Sequence, residues 1–309
     1  MYAFKKIMIA LDLTEMDQYI LSYLEGLSKF VEAEKIYFIN IQKELDIDAE
    51  TKSLMGVDNN VALDEHVVSL MQESVKNFFP SYGEFECEFD VAEGSSSTEI
   101  LRWTKMKSSD LVIMGKKKKL KGEGIMLQQI ASKINCSILL IPEGYKKFKL
   151  QKVFVPVNFT KQTNLALEEA ISMQDKTTQK LKIYCHHYYE LPLGHEKSGK
   201  TDAEFTAIMD KNASKKFIQM KHDLSIKTAE FNYSDDLLKE GNIAKELVKK
   251  ARDYRADLII MAEKSKTLAA QLFLGNTTKK MIINLKKTPL LIVKNKNETF
   301  DFWDFFSKM

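Results

Sequence analysis

The residues of this chain that are best placed for chemistry stand directly after short apolar runs. Asp12 follows the run at residues 7–11, and Asn158 follows the corresponding run in the second half of the sequence. Gly115 and Ala262 follow two further runs. If these runs are strands of an open α/β sheet, ligands bind just outside their carboxyl ends. The pattern therefore predicts a small-molecule site at those ends.

Signatures of other chemistry are missing or poorly spaced in the sequence. It contains no GxSxG motif, no P-loop, no dinucleotide-binding fingerprint and no paired-carboxylate motif. Cys185-His186-His187 and the later His195 suggest a metal site, but their spacing fits no standard zinc signature. Adjacent strand residues also point to opposite faces of a sheet. We therefore predict no catalytic residue and no metal ion held by protein side chains alone.

The elements that position these residues occur twice. Lys6–Thr14 is matched by Lys152–Thr160, and Asp110–Met114 by Asp257–Met261, at an offset of 146 or 147 residues. A period of this length is a whole domain rather than a solenoid unit. In each half, apolar runs alternate with stretches of helical period, which indicates βαβ crossovers and a mostly parallel sheet. We predict two tandem Rossmann-like α/β domains, each a five-stranded sheet with helices on both faces.

Each half carries five predicted strands. In the first half they lie near residues 5–12, 35–42, 84–91, 110–115 and 137–142. In the second half they lie near residues 152–158, 181–188, 227–233, 257–262 and 289–293. The predicted domains are residues 1–146 and 147–295, followed by an aromatic tail at 296–309. We expect the tail to dock on the body of the protein or on a partner, because so many large aromatic side chains are poorly solvated.

Composition restricts the class of protein. The 309 residues are 44% hydrophobic and 29% charged, which is typical of globular domains. A net charge of only +3 argues against a dedicated nucleic-acid binder. No apolar run is long enough for a membrane span, and the N-terminus lacks a signal-peptide layout. The three cysteines have no disulfide or CxxC spacing, so we expect buried, reduced thiols in a cytoplasmic protein.

The repeat and the residues at its strand ends resemble the universal stress protein family in its tandem two-domain form. The resemblance covers nearly the whole chain except the tail and implies an adenine-nucleotide-binding type of α/β fold. In nucleotide-binding members an Asp after the first strand meets the adenine. After the fourth strand they carry a glycine, two residues, a glycine, nine residues, and then Gly-Ser or Gly-Thr. Glycines let backbone N–H groups approach phosphates, and a helix start directs its positive end toward them.

The second half keeps the spacing of this motif with altered residues. The motif positions are Ala262, Ser265 and Gly275-Asn276-Thr277, and the adenine position is Asn158. An Asn side chain both donates and accepts hydrogen bonds, so adenine contact is weakened rather than excluded. The resemblance thus implies ATP or another adenine nucleotide here, with no metal beyond its associated Mg²⁺. A site that has degenerated to a purely structural loop is the alternative.

The first half departs from the motif more strongly. Asp12 and Gly115 match it, but the remaining positions fall at Lys118, Gln128 and Gln129, so the helix-start glycine is missing. A lysine-rich loop at residues 116–121 stands in its place. Lysines attract phosphate as point charges without forming a preorganised backbone cradle. A solvated loop, an anion contact and a site for an acidic protein partner all remain open.

The resemblance implies a binding and signalling protein of the stress response rather than an enzyme. Two alternatives remain: a slow ATPase or nucleotide-dependent transferase, for which Glu263 and Lys264 are charged groups at the start of the second loop, and a ligand-free scaffold for protein contacts. The family analogy pairs the last strands of the two domains, which predicts a pseudo-dimer within one chain. A further homodimer and an unknown protein partner are compatible with it. Nucleic-acid and membrane partners are not expected.

Overall fold

The computed structural model of the chain describes residues 4–58, 60–118, 122–145, 147–178, 180–224, 230–238, 241–263 and 274–294. By their contacts the residues fall into two compact units. Ala3–Phe148 makes up the main part of the N-terminal unit, and Lys149–Lys264 with Gly275–Val293 forms the C-terminal unit. The predicted aromatic tail at 296–309 lies outside the described residues.

The N-terminal unit alternates strands and helices along the chain. Its elements are β1 (Lys6–Leu11), α1 (Glu15–Leu27), β2 (Lys35–Gln42), α2 (Ala49–Leu54), α3 (Leu63–Phe78), β3 (Glu86–Glu93), α4 (Ser96–Met106), β4 (Leu111–Lys116), α5 (Glu123–Lys133) and β5 (Ser137–Pro142). The strands are parallel, in the order β3-β2-β1-β4-β5. The order changes direction between β1 and β4, so the crossover helices cover both faces of the sheet.

The C-terminal unit repeats this architecture. Its elements are β6 (Lys152–Pro156), α6 (Lys161–Asp175), β7 (Lys182–Tyr189), α7 (Asp202–Asp223), β8 (Glu230–Leu237), α8 (Ile243–Asp253), β9 (Leu258–Ala262), α9 (Asn276–Asn284) and β10 (Leu290–Val293). The strands are again parallel, in the order β8-β7-β6-β9-β10. The predicted fold class, two tandem α/β units with mostly parallel sheets, is confirmed.

The unbroken apolar runs form the central strands of each sheet, as their composition predicts. Every residue of β5 and β10 is buried, as are the first four residues of β4. Helix α1 begins after Thr14, whose side chain accepts the backbone N–H of Met16. It turns Ile20, Leu21 and Leu24 into the core. Helical periodicity and strand burial thus bring the ends of β1 and β4 to one edge of the sheet.

One strand prediction ends too early. The third strand of the second half was predicted at 227–233, whereas β8 continues to Leu237, paired in register from Lys182↔Glu230 to Tyr189↔Leu237. Its last residues include Ser234, Asp235 and Asp236, which a search for apolar runs excludes. Because β8 pairs within this unit only with β7, polar side chains can follow its half-exposed surface. Pairing with β7, rather than hydrophobicity, sets its end.

Within the part of the chain that the structure describes, no helix is both long and apolar enough to cross a membrane.

Candidate functional site

Both units make the same strained turn after their first strand. Leu13 and Phe159 have φ values of 57° and 56°, in the left-handed region that non-glycine residues rarely adopt. Each turn leads into the cap of a helix, Thr14 for α1 and Thr160 for α6. The turns lie where the strand order changes direction, which is where open α/β sheets bind ligands. The backbone thus presents position 12 in one unit and 158 in the other at corresponding places.

In the C-terminal unit this turn is held by neutral side chains. The Oδ1 atom of Asn158 accepts the hydroxyls of Thr160 and Thr163, each at 2.7 Å. In return the Thr163 hydroxyl oxygen accepts the Asn158 backbone N–H at 3.2 Å. Since Oδ1 is engaged, the exposed Asn158 side chain offers its amide N–H group to a ligand. The turn therefore presents a hydrogen-bond donor and no charge.

In the N-terminal unit the same turn is held by carboxylates. Asp12 Oδ1 accepts the Thr14 hydroxyl at 2.6 Å. The buried Asp17 carboxylate accepts the backbone N–H groups of Asp12 and Leu13 at 3.0 and 2.9 Å. Burial raises the pKa of Asp17 to about 6, and the neighbouring Asp12 charge adds to the rise. Two acidic groups thus stand where the other unit has Asn158 and Thr163.

The lysine-rich loop of the N-terminal unit is neutralised from within, as far as it is described. The Lys117 ammonium pairs with Asp12 Oδ2 at 2.6 Å. The backbone N–H of Lys117 donates to the carboxylate of Glu123, which is only 7% exposed. The backbone N–H of Lys118 donates to Glu143 Oε2 at 2.6 Å. Carboxylates of the chain itself therefore occupy donors that a bound phosphate would need.

Helix α5 also begins earlier than the family spacing implies. Gly122, at φ 87°, caps it, and Glu123 is its first residue. Gln128 and Gln129, the motif positions for a helix start, lie inside the helix. Burial raises the pKa of Glu123 above its ordinary value, against the opposing effects of Lys117 and Lys116. A partly buried acid at the start of α5 disfavours a second anion there.

The glycine after the fourth strand serves packing in the N-terminal unit. A Cβ atom on Gly115 would lie 2.3 Å from Cγ of Met16, well inside van der Waals contact. Met16 itself is buried on α1. Ala262, the repeat equivalent at the end of β9, already carries a Cβ. The match of Gly115 to the family motif therefore has a structural cause that needs no ligand.

The glycine before helix α9, unlike Gly115, is not closely packed against the described residues. Gly275 precedes the helix with φ −56° and ψ 143°, which any residue can adopt. Among the described residues, a Cβ there would meet only the Thr278 hydroxyl oxygen, at 3.9 Å. Asn276 and Thr277 form the first turn, whose backbone N–H groups have no partner within the helix. Neither the torsion angles nor the packing of the described residues requires a glycine at 275. Ser265, the remaining predicted position, lies outside the described residues.

Two residues before its end, the second strand of each unit carries a side chain that hydrogen-bonds the backbone at the carboxyl end of the first strand. Asn40 Nδ2 donates to the Leu11 carbonyl at 3.0 Å, and His187 Nδ1 donates to the Val157 carbonyl at 2.8 Å. Burial lowers the pKa of His187. The carbonyl contact places its proton on Nδ1. Position 187 thus has the same structural role as position 40, as the repeat suggests.

The histidine pair does not converge. His186 is fully buried, and its Nδ1 lies 2.7 Å from the Ser234 hydroxyl, while His187 bonds the end of β6. Cys185 is buried as a free thiol. In the described ranges no three His, Cys, Asp or Glu side chains are grouped so that they could hold a metal ion.

A family model matches residues 149–294, and its description is the universal stress protein family. The second half of the chain belongs to the universal stress protein family. The family membership makes it a stress-response protein. The N-terminal half repeats the sequence pattern and the fold of the matched half.

Solved structures extend the fold over both halves. A universal stress protein from Archaeoglobus fulgidus is 17% identical and covers 96% of this chain and 99% of its own, with a TM-score of 0.60. A functionally unknown protein from Pseudomonas aeruginosa is 11% identical and covers 99% of this chain and 98% of its own, also with a TM-score of 0.60. At such identities the likeness shows the fold alone. No curated protein matches the sequence.

Sequence reasoning proposed positions 12, 115, 158, 262, 265 and 275–277 and missed the residues that distinguish the two units. Asp17 and Thr163, five residues after Asp12 and Asn158, decide the charge of each turn. The repeat contained the signal, because aligning the halves places Asp17 opposite Thr163. Glu123 gave no comparable signal, since its role depends on where α5 begins.

Proposed function

We propose that this universal stress protein binds an adenine nucleotide at the carboxyl edge of its C-terminal unit and acts in stress signalling through that occupancy. The observation that carries the proposal is Gly275. It precedes a helix start with ordinary torsion angles, and among the described residues only the Thr278 hydroxyl comes within 4 Å of where its Cβ would stand. A glycine at this place allows a phosphate to approach the first N–H groups of α9 closely.

The charges favour the C-terminal unit over the N-terminal one. Around the first turn, Asn158 and Thr163 carry no charge, whereas Asp12 and Asp17 occupy these positions in the N-terminal unit. There the Glu123 carboxylate also takes the Lys117 backbone N–H. In the N-terminal unit a nucleotide phosphate would have to displace one of these carboxylates. The corresponding positions of the C-terminal turn, Asn158 and Thr163, hold no carboxylate. We therefore propose one nucleotide per chain.

The amide of Asn158 supports a specific adenine contact. Its Oδ1 accepts two threonine hydroxyls, so its Nδ2 is the group left to face a base. An N–H donor suits a ring nitrogen of adenine, whereas a carboxylate at this position suits the exocyclic amine. We propose that Asn158 donates to a ring nitrogen. Replacing it with Asp would remove this donor and add a negative charge.

We also propose that the protein binds without turnover. Glu263 follows β9 directly, and its backbone N–H is bound to the Val293 carbonyl at 3.0 Å. Glu263 is the charged group of the second loop that the structure describes. A slow ATPase would require Glu263 to position water. Steady phosphate release that disappears in Glu263→Gln would favour that second function.

Titration calorimetry with MgATP tests the binding proposal. The wild-type chain should bind one equivalent, and Gly275→Trp should abolish the heat while keeping its circular dichroism spectrum. Gly83→Trp is the matched control, because a Cβ at Gly83 would meet no described atom within 4 Å and a Cβ at Gly275 would meet only the Thr278 hydroxyl, at 3.9 Å. Unchanged ATP binding in Gly275→Trp, or no heat at millimolar ATP in the wild type, would refute the proposed site and leave the protein-contact scaffold.

A further inference from the structure

A basic cleft lies at the opposite edge of the C-terminal sheet from Gly275. It has a volume of about 390 Å³ and lies between α8 and the segment that follows α9. Ile259, near the start of β9, contributes to its floor, whereas Ala262 at the end of β9 belongs to the nucleotide edge. The cleft is thus separate from the site proposed above.

Cations surround this cleft and no carboxylate lines it. The basic lining residues are Lys245, Lys249, Arg252, Lys286 and Lys287. Two of these cations form long ion pairs. A carboxylate oxygen of Glu246 lies 3.7 Å from the Lys249 ammonium, and one of Asp253 lies 3.8 Å from Arg252 Nε. Lys245, Lys286 and Lys287 form no ion pair with any residue that the structure describes. Five like charges around one cleft repel each other unless an anion lies between them.

The floor of the cleft is apolar. Val248, Ile259 and Leu285 line it, and the last two are buried to 0% and 2% exposure. The cleft therefore combines an apolar floor with a positively charged rim. Such a cleft suits an anion that carries an apolar body, since a bare inorganic ion would leave the floor uncovered.

Helix electrostatics and the repeat account for only part of this charge. Arg252 stands in the last turn of α8, where a cation is favourable to the helix dipole. Lys245 stands in the first turn of α8, where a cation is unfavourable to the helix dipole. In the N-terminal unit Thr98 stands at the position of Lys245, whereas Arg102 and Lys105 are cations like Lys249 and Arg252. Arg102 is paired with Glu99 at 2.7 Å. The cation at position 245 is therefore a difference between the two units.

We propose that this cleft binds a small organic phosphate, with the phosphate held by the lysines and Arg252 and the apolar body lying on Val248, Ile259 and Leu285. A phosphate carries more than one negative charge and several acceptor oxygens, which matches a rim of several donors better than a single carboxylate does. Arg252 adds a planar fork that binds two such oxygens. The cleft volume lies within the usual range for small ligands.

Calorimetry with phenyl phosphate as the probe tests the cleft. The charge-swap variant K249E/K286E/K287E should bind phenyl phosphate at least about tenfold more weakly than the wild type. The control K197E/K211E/K215E removes the same charge from exposed positions elsewhere in the unit. It should bind the probe as the wild type does when both are measured at the same ionic strength. Inorganic phosphate should bind wild type more weakly than phenyl phosphate, since it cannot cover the floor.

A second pair of probes distinguishes the source of the phosphate. Tighter binding of dioctanoyl phosphatidic acid than of phenyl phosphate, lost in the charge swap, would identify a lipid headgroup; the reverse order would identify a soluble metabolite. Equal weakening in the charge swap and the control, or no binding of either probe, would overturn the proposal. ATP binding that persists in the charge swap and disappears in Gly275→Trp belongs to the nucleotide site, so the two proposals fail separately.

Discussion

Glu169 is a buried acid whose charge should make the stability of the C-terminal unit depend on pH. It lies on α6 at 3% exposure, and its Oε2 has no hydrogen-bond partner among the described residues. Burial raises its pKa from 4.5 to about 8, and Lys176 offsets only part of this rise. The folded state therefore holds the proton over a pH range in which the unfolded chain releases it.

The sign and size of the effect follow from proton linkage. Between pH 4.5 and 8 the folded state binds more protons than the unfolded state, so stability falls as pH rises through this window. Each pH unit costs about 1.4 kcal/mol, which gives an upper limit of about 5 kcal/mol across the window. Water penetration and relaxation of the helix reduce this, so we expect a loss of roughly 2–5 kcal/mol. Glu169→Gln removes the ionising group and with it this loss.

Urea unfolding at pH 5, 7 and 8.5 measures the difference. The wild type should lose stability with rising pH, whereas Glu169→Gln should stay nearly level and exceed the wild type most at pH 8.5. Glu168→Gln is the matched control, because Glu168 is the exposed neighbour on the same helix. It should follow the wild-type curve. Parallel curves for the wild type and Glu169→Gln would refute the burial argument.

Three further substitutions test other parts of the fold. Gly115→Ala should destabilise the N-terminal unit by about 1–3 kcal/mol, because its Cβ would lie 2.3 Å from the Met16 side chain; Met16→Ala should relieve this clash in the double variant. Burial lowers the pKa of His186 to about 4, so between pH 6.5 and 4 the unfolded chain binds a proton that the folded state does not, and stability falls as the pH falls. His186→Phe should remove this loss. Thr201→Ala should cost about 1 kcal/mol by breaking the capping box with Glu204 at the start of α7. Thermal unfolding checks the Gly115→Ala and Thr201→Ala variants, and an unchanged midpoint would contradict either prediction. For His186→Phe the midpoint is followed from pH 6.5 to 4, and a fall equal to that of the wild type would contradict the prediction.

The fold was predictable because its signals are local or repeated. Apolar runs such as β5 are long enough to mark buried strands, and the offset between the halves showed that one pattern occurs twice. The end of β8 was not predictable from hydrophobicity, since pairing with β7 extends it through Asp235 and Asp236. Glu169 follows Glu168 in sequence, and only tertiary packing buries one of this pair and exposes the other.

The turns that form the candidate site could be located from the sequence, whereas their charges could not. Strand order fixes where ligands bind, so Asp12 and Asn158 could be named in advance. The ion pair between Lys117 and Asp12 joins residues on different loops, and the helix start at Glu123 depends on the left-handed Gly122. These contacts decide which unit keeps its donors free, and neither follows from motif spacing.

Photolabelling with 8-azido-ATP, followed by peptide mapping, tests the central claim most directly. One label per chain should appear, on peptides around Asn158 or Gly275, and excess ATP should prevent it. The Gly275→Trp variant should lose the label, whereas Gly83→Trp should keep it. Labelling of peptides around Asp12 and Gly115, at equal yield and with equal competition by ATP, would contradict the account, because the carboxylates of the N-terminal unit should exclude the nucleotide from that turn.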